Sequence, residues 1–175
     1  MSHQQGKQKF RFEILSNAQF TDAFDLLKHA AEAMREAGLY QWDENYPPEN
    51  AVRNAIVTGD TYGYFIEEQL AGLVTLDNSQ DPLYEDVDWK LEGDRVGVIH
   101  RLAVSPNFQG QGLGKRIMEL AHEEALKRDF DVLRLDAFSI NPKIQKLYLE
   151  LGYSACGEIF IYPERPAFTC FEKKL

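Results

Sequence analysis

Gln109-Gly110-Gln111-Gly112-Leu113-Gly114-Lys115 follows an apolar run, residues 96–104, and opens a segment of helical pattern. A glycine-rich turn between strand and helix leaves backbone N–H groups uncovered at a helix N-terminus, where phosphate oxygens bind best. Glycine serves there because only a side chain of zero size lets a pyrophosphate approach the backbone closely. A P-loop would need Gly in place of Gln109 and Ser or Thr in place of Arg116. The dinucleotide fingerprint would need a third Gly at Lys115, and it would sit on a strand nearer the start of the chain.

Upstream stands His100-Arg101-Leu102-Ala103-Val104-Ser105-Pro106, and about forty residues downstream come Asn141-Pro142, Leu147-Tyr148 and Gly152-Tyr153. The first block with the glycine loop resembles the acetyl-CoA motif of the GNAT acetyltransferase family. The second resembles that family's N-x-x-A-x-x-L-Y-x-x-x-G-F/Y motif. One departure is Gln145, where the family usually carries a small residue. Two ordered motifs at family-like spacing are far more specific than either alone.

The rest of the chain reads as β-α-α-β-β-β-α-β-α-β-β. Phe10, Phe12 and Ile14 alternate as on a half-buried strand, and Ser16-Asn17-Ala18-Gln19 reads as a capping box. Phe20, Phe24, Leu27, Ala31 and Met34 make an apolar helical stripe that Gly38 stops. A short helix after Pro48 carries Val52 and Ile56. Residues 62–66 and 70–76 form a hairpin, residues 77–94 an acidic loop, and residues 132–136 a second central strand. Asn141 caps and Pro142 starts the last helix, and two late strands flank a turn at residues 163–166. The resemblance implies an α/β GNAT fold: a central mixed, mostly antiparallel sheet of about seven strands flanked by about four helices. It also implies splayed central strands, with the pantetheine arm lying between residues 98–104 and 132–136.

A chain of 175 residues with 44% hydrophobic content is expected to form a single GNAT acetyltransferase domain over residues 10–175, behind a poorly ordered N-terminus at residues 1–9. No secretory or membrane-spanning run is visible, and a cytoplasmic protein is expected. Cys156 and Cys170 lack metal-ligand spacing and read as free thiols; no metal is expected. The net charge of −9 argues against nucleic-acid partners and accords with solubility or a cationic acceptor. Lys115 and Arg116 supply local positive charge beside the glycines.

The resemblance implies acetyl-CoA as cosubstrate, held by Leu102, Ala103, Val104, the loop Gln109, Gly110, Gln111, Gly112, Leu113, Gly114, Lys115, and by Asn141 and Tyr148. It places the Leu102 N–H on the thioester carbonyl and makes Tyr148 the general acid toward sulfur. An unperturbed phenol, with a pKa near ~10, is protonated and able to donate at neutral pH. Asn141 also reads as a helix cap. His100 is the candidate base: strand alternation puts it on the side of Val98 and Leu102, and imidazole titrates near ~6.5. A hydrogen-bonded strand histidine is the alternative reading. Arg101 points the other way and needs a partner, with Asp136 the guess. His29 and His122 read as solvated, as does the run Glu119, Glu123, Glu124.

For the acceptor, Trp42 and Tyr46 are expected to box a cation that Asp43 or Glu44 pairs, with Tyr84, Trp89 and Tyr162 completing an aromatic wall. The function expected is acetyl transfer to a primary amine, a small molecule or peptide, by direct attack in a ternary complex. A non-catalytic acyl-CoA sensor and a protein (N-terminal or lysine) acetyltransferase are the alternatives. The family resemblance also allows a homodimer.

Overall fold

The computed structural model describes residues 9–175, so the expectation for the N-terminus lies almost wholly outside the described residues. Seven strands form one sheet in the order β1-β2-β3-β4-β5-β7-β6. They are β1 Phe10–Ile14, β2 Thr61–Ile66, β3 Gln69–Asp77, β4 Val96–Val104, β5 Val132–Phe138, β6 Ser154–Ile159 and β7 Phe168–Lys174. Only β4 and β5 run parallel; all other neighbours are antiparallel. The expected mixed, mostly antiparallel sheet is therefore present, and four α-helices cover it.

Helices α1 Phe20–Glu36 and α2 Glu49–Val57 pack on one face, where Leu26, Leu27, Val52 and Ile56 meet Leu73 and Ala103 of the sheet. The capping box is made: Gln19 Oε1 accepts from the Ser16 N–H at 2.7 Å, and a short 3-10 turn then leads into α1. Gly38, at φ 79°, ends that helix where a left-handed residue is required. On the other face α3 Leu113–Lys127 and α4 Pro142–Glu150 share a core with Val74, Leu76, Ile99 and Leu135. The alternating face of β1 is less covered than its sequence implies. Phe10 and Ile14 are each 52% exposed, because β1 is an edge strand whose rings stack on Tyr64 and Tyr62 of β2.

The acidic loop is more ordered than its composition implies. Asp81 caps a 3-10 turn at Pro82–Asp86, and Tyr84 is buried beneath it. Glu172, a buried carboxylate on β7, accepts from the Lys90 and Leu91 N–H groups at 2.8 and 3.1 Å. Those bonds hold the loop against the same sheet face that α1 and α2 cover.

Candidate active site

Strands β4 and β5 are hydrogen-bonded only from Val96–Val98 to Val132–Arg134. Beyond that point they part. The cause lies in β4 itself, where Arg101 sits at φ 53° and the register with β3 slips between Leu73 and Thr75. One extra residue in β4 makes a bulge, and a bulge bends its strand. Meanwhile β5 stays paired with β7 as far as Phe138. The fork opens a cavity of about 490 Å³ that passes between the two sheet faces. Met34, Gln41, Trp42, Tyr46 and residues 79–82 line it on the α1 side; Asn141, Ile144 and Tyr148 line it on the α4 side.

The glycine loop borders this fork. Gly110 and Gly112 have φ of 78° and 75°, and Gly112 is the left-handed N-cap of α3. A Cβ at either would meet nothing within 4 Å, so the backbone dihedral is what calls for glycine here, and the space in front stands open. The first intrahelical bond runs from the Arg116 N–H to the Gly112 carbonyl at 3.2 Å. The N–H groups of Leu113, Gly114 and Lys115 thus have no acceptor within the helix. The Gln109 amide donates to the Val104 carbonyl at 3.4 Å, which ties the loop to the end of β4. Lys115 is exposed, while Arg116 pairs with Glu119 at 3.6 Å and lies over Phe10.

On the α4 side Tyr148 is 5% exposed, its ring edge-on to Tyr153 and tilted against Phe171. Burial, together with the charge of Asp136, pushes its phenol well above the ordinary range, so the hydroxyl holds its proton. Asn141 caps α4, its Oδ1 accepting from the Ile144 N–H at 3.3 Å, and it also lines the cavity. Gln145 has a local purpose: its amide donates to the Ala137 and Phe138 carbonyls at 3.3 and 3.2 Å and pins α4 to the end of β5.

The bulge corrects the alternation read for β4. His100 lies opposite Thr75 and hydrogen-bonds to Asp77 Oδ1 at 3.0 Å, whereas Leu102 packs into the core under α3 and α4. The two side chains therefore occupy opposite faces, and His100 looks into the α1 side of the cavity. Burial raises the Asp77 carboxyl, but the hydrogen bond and charge of His100, with the Ser79 N–H and Arg101, outweigh it and hold it below its usual value. Arg101 does not pair with Asp136. That carboxylate accepts from the Tyr84 hydroxyl at 2.7 Å, and its pKa is raised by burial despite the Tyr84 hydrogen bond and the charge of His100.

The aromatic wall divides. Trp42 and Tyr46 tilt together at 5.3 Å and both line the cavity. Tyr84 stands behind Asp136 rather than in the lining. Trp89 backs Tyr84, with its Nε1 donating to the Tyr84 carbonyl at 2.9 Å. Asp43 faces a separate hollow beside α1 and pairs with Arg165 at 3.7 Å, and the Arg165 guanidinium covers the Tyr162 ring. Asp77, Asp136 and Gln41 join the site without a motif to mark them. A polar residue breaking the apolar run of central strand β5 was the signal available for Asp136. His29 is exposed as expected, but His122 is half-buried, hydrogen-bonded to the Tyr153 hydroxyl at 2.9 Å, and its pKa is lowered to about 4 by burial and Lys173. Cys156 and Cys170 are free thiols. Among the described residues no helix is long and apolar enough to cross a membrane.

Comparisons with known proteins agree with this geometry. The model of the "Acetyltransferase (GNAT) family" matches residues 26–153. An uncharacterized N-acetyltransferase, YesJ, of Bacillus subtilis is 27% identical over 153 residues, spanning 86% of this chain and 82% of its own. A GNAT-family acetyltransferase from Streptococcus agalactiae superposes with a TM-score of 0.82 at 19% identity, covering 97% and 99% of the two chains. The PaiA N-acetyltransferase of Thermoplasma acidophilum, solved with coenzyme A, superposes at 0.72 with 15% identity, covering 95% and 99%.

Proposed function

This chain belongs to the GNAT acetyltransferase family and is an N-acetyltransferase, and we propose that it moves an acetyl group from acetyl-CoA to a primary amine by direct attack, both substrates being bound together, as a single domain over residues 10–175. The observation that carries this reading is the fork. Past Val98 and Arg134 the facing edges of β4 and β5 have no ladder between them, and backbone groups left so are fit to pair with the amides of an extended arm. The left-handed glycines and the uncapped first turn of α3 suit the pyrophosphate at the other end of that arm. Leu102, Ala103, Val104, the residues from Gln109 to Lys115, and Asn141 would hold the cosubstrate, which supplies the activated acetyl group.

The chain's own residues then have three tasks. His100, oriented by Asp77, takes the proton that an incoming ammonium must lose before its lone pair is free. The Leu102 N–H bears the negative charge that gathers on the acyl oxygen as the C–N bond forms. Tyr148, kept protonated by burial, gives its proton to the sulfur as the C–S bond breaks. Trp42 and Tyr46 close one wall of the acceptor side, which favours a small acceptor over a folded protein.

Release of the CoA thiol should be followed across polyamines, arylalkylamines, amino acids, aminoglycosides and short peptides. Release well above basal hydrolysis with some acceptor is expected. Acetyl-CoA binding without transfer to any amine, peptide or extract would overturn the transfer reading in favour of a non-catalytic sensor.

A further inference from the structure

Two buried polar atoms on the acceptor side of the cavity have no hydrogen-bond partner: the Arg101 Nε, a donor, and the Gln41 Oε1, an acceptor. Such orphans are rare in folded proteins because each forfeits its hydration without return. Arg101 is the more telling. Its Nε is buried while the residue as a whole is only partly so, and among the described residues no carboxylate lies within ion-pair distance of it. Its neighbour is the Tyr46 hydroxyl, a second donor, whose pKa burial raises and Arg101 partly restores. The left-handed backbone at Arg101 is sterically costly for a side chain of this size, and the bulge holds the residue there at the mouth of the fork.

The same chamber also holds acceptors. Asp136 lines it and, among the described residues, accepts only from Tyr84, so a second oxygen remains. Gln41 Oε1 adds a neutral acceptor. The chamber thus offers a place for an anion and, beside it, acceptors for N–H donors.

We infer that the acceptor is an amino acid or a close relative, carrying a carboxylate that Arg101 and Tyr46 hold and an amine that Gln41 and Asp136 face. This rests on the acetyltransferase reading of the site and narrows its substrate class. An amine without a carboxylate would leave the buried Arg101 Nε without an acceptor, and sites built to bond a polar group reject analogues lacking it strongly.

The test separates the two claims. The full chain, with and without CoA, is titrated calorimetrically with N-acetylated glycine, leucine, phenylalanine, glutamate and lysine, each against its own C-terminal amide. At least one acid should bind tenfold or more tighter than its amide. Arg101→Gln should erase that preference, and Arg101→Lys should keep part of it. If every acid binds within threefold of its amide, or Arg101→Gln leaves the preference standing, the inference is overturned. Binding requires no turnover. A preserved acid preference with no thiol release from any amine would therefore break the transfer reading alone. Thiol release from amines lacking a carboxylate, with no acid preference, would break this inference alone.

Discussion

The two halves of β4 are built for different ends. From Val96 to Val98 the strand is laddered to β5, with β3 joining at Val98, and Gly97 lies so close to Leu133 and Phe130 that a Cβ would approach them within 3.0 Å. From Ile99 to Val104 it keeps β3, bulges at Arg101 and abandons β5. The first half is packing with no chemistry. The second gives up a ladder, and the groups it frees surround the cavity. Stability and function thus share one strand and separate within three residues.

Substitutions should follow that division. The largest effect is expected from Gly112→Asp at the glycine loop beside the open half. The space in front is open, but the left-handed dihedral strains any side chain, so melts should show a cost of about 1 kcal/mol, and a carboxylate at the start of α3 opposes an incoming phosphate. Acetyl-CoA affinity measured by calorimetry should fall by a hundredfold or more, and unchanged affinity would remove the loop from the binding site. Tyr148→Phe should lower kcat by about a hundredfold while acetyl-CoA affinity stays within a few-fold, the signature of a proton donor. Equal loss of both would make the ring a structural element instead.

His100→Gln should cost about tenfold in kcat with acetyl-CoA affinity unchanged, since the incoming ammonium loses the group that takes its proton. An unaltered kcat would leave the histidine as the strut of Asp77. Gly97→Ala belongs to the closed half: crowding Leu133 and Phe130 should cost about 1–3 kcal/mol in denaturant melts and leave kcat per folded molecule intact. A change in kcat would blur the boundary drawn above.

The smallest effect lies away from β4. His122 is neutral in both folded and unfolded chains above about pH 6.5. Below that the unfolded chain takes a proton that the folded chain refuses until about pH 4. Stability therefore falls as pH drops through that window, by about 1–2 kcal/mol once the ring's partial exposure is discounted. His122→Gln should shrink the fall, as thermal melts between pH 7 and 4 would show.

What the sequence disclosed was local in origin. The stripe Phe20, Leu27, Ala31, the Gly38 stop, the hairpin at Glu67-Glu68 and the Asn141-Pro142 cap each depend on residues within a turn or two. The bulge at Arg101 depends on the register against Leu73 and Thr75, almost thirty residues away, and nothing within residues 96–104 announces it. So alternation placed His100 and Leu102 together when the fold sets them apart. The Tyr84–Asp136 bond joins residues 52 apart, and the Glu172 contacts that seat Tyr84 span 82. Those pairings exist only once the sheet has closed, so local sequence points Asp136 toward Arg101 rather than toward Tyr84. His122 escaped for a similar reason: its partner, Tyr153, arrives from beyond the end of α4.

The sheet acts as a partition pierced at one place, and the two walls of the opening come from separate stretches of chain. Residues 34–46 and 79–82 form one wall and residues 141–148 the other. Substitutions in the first wall can therefore reshape one mouth of the opening and leave the other, with its Gln145 fastening to β5, as it stands.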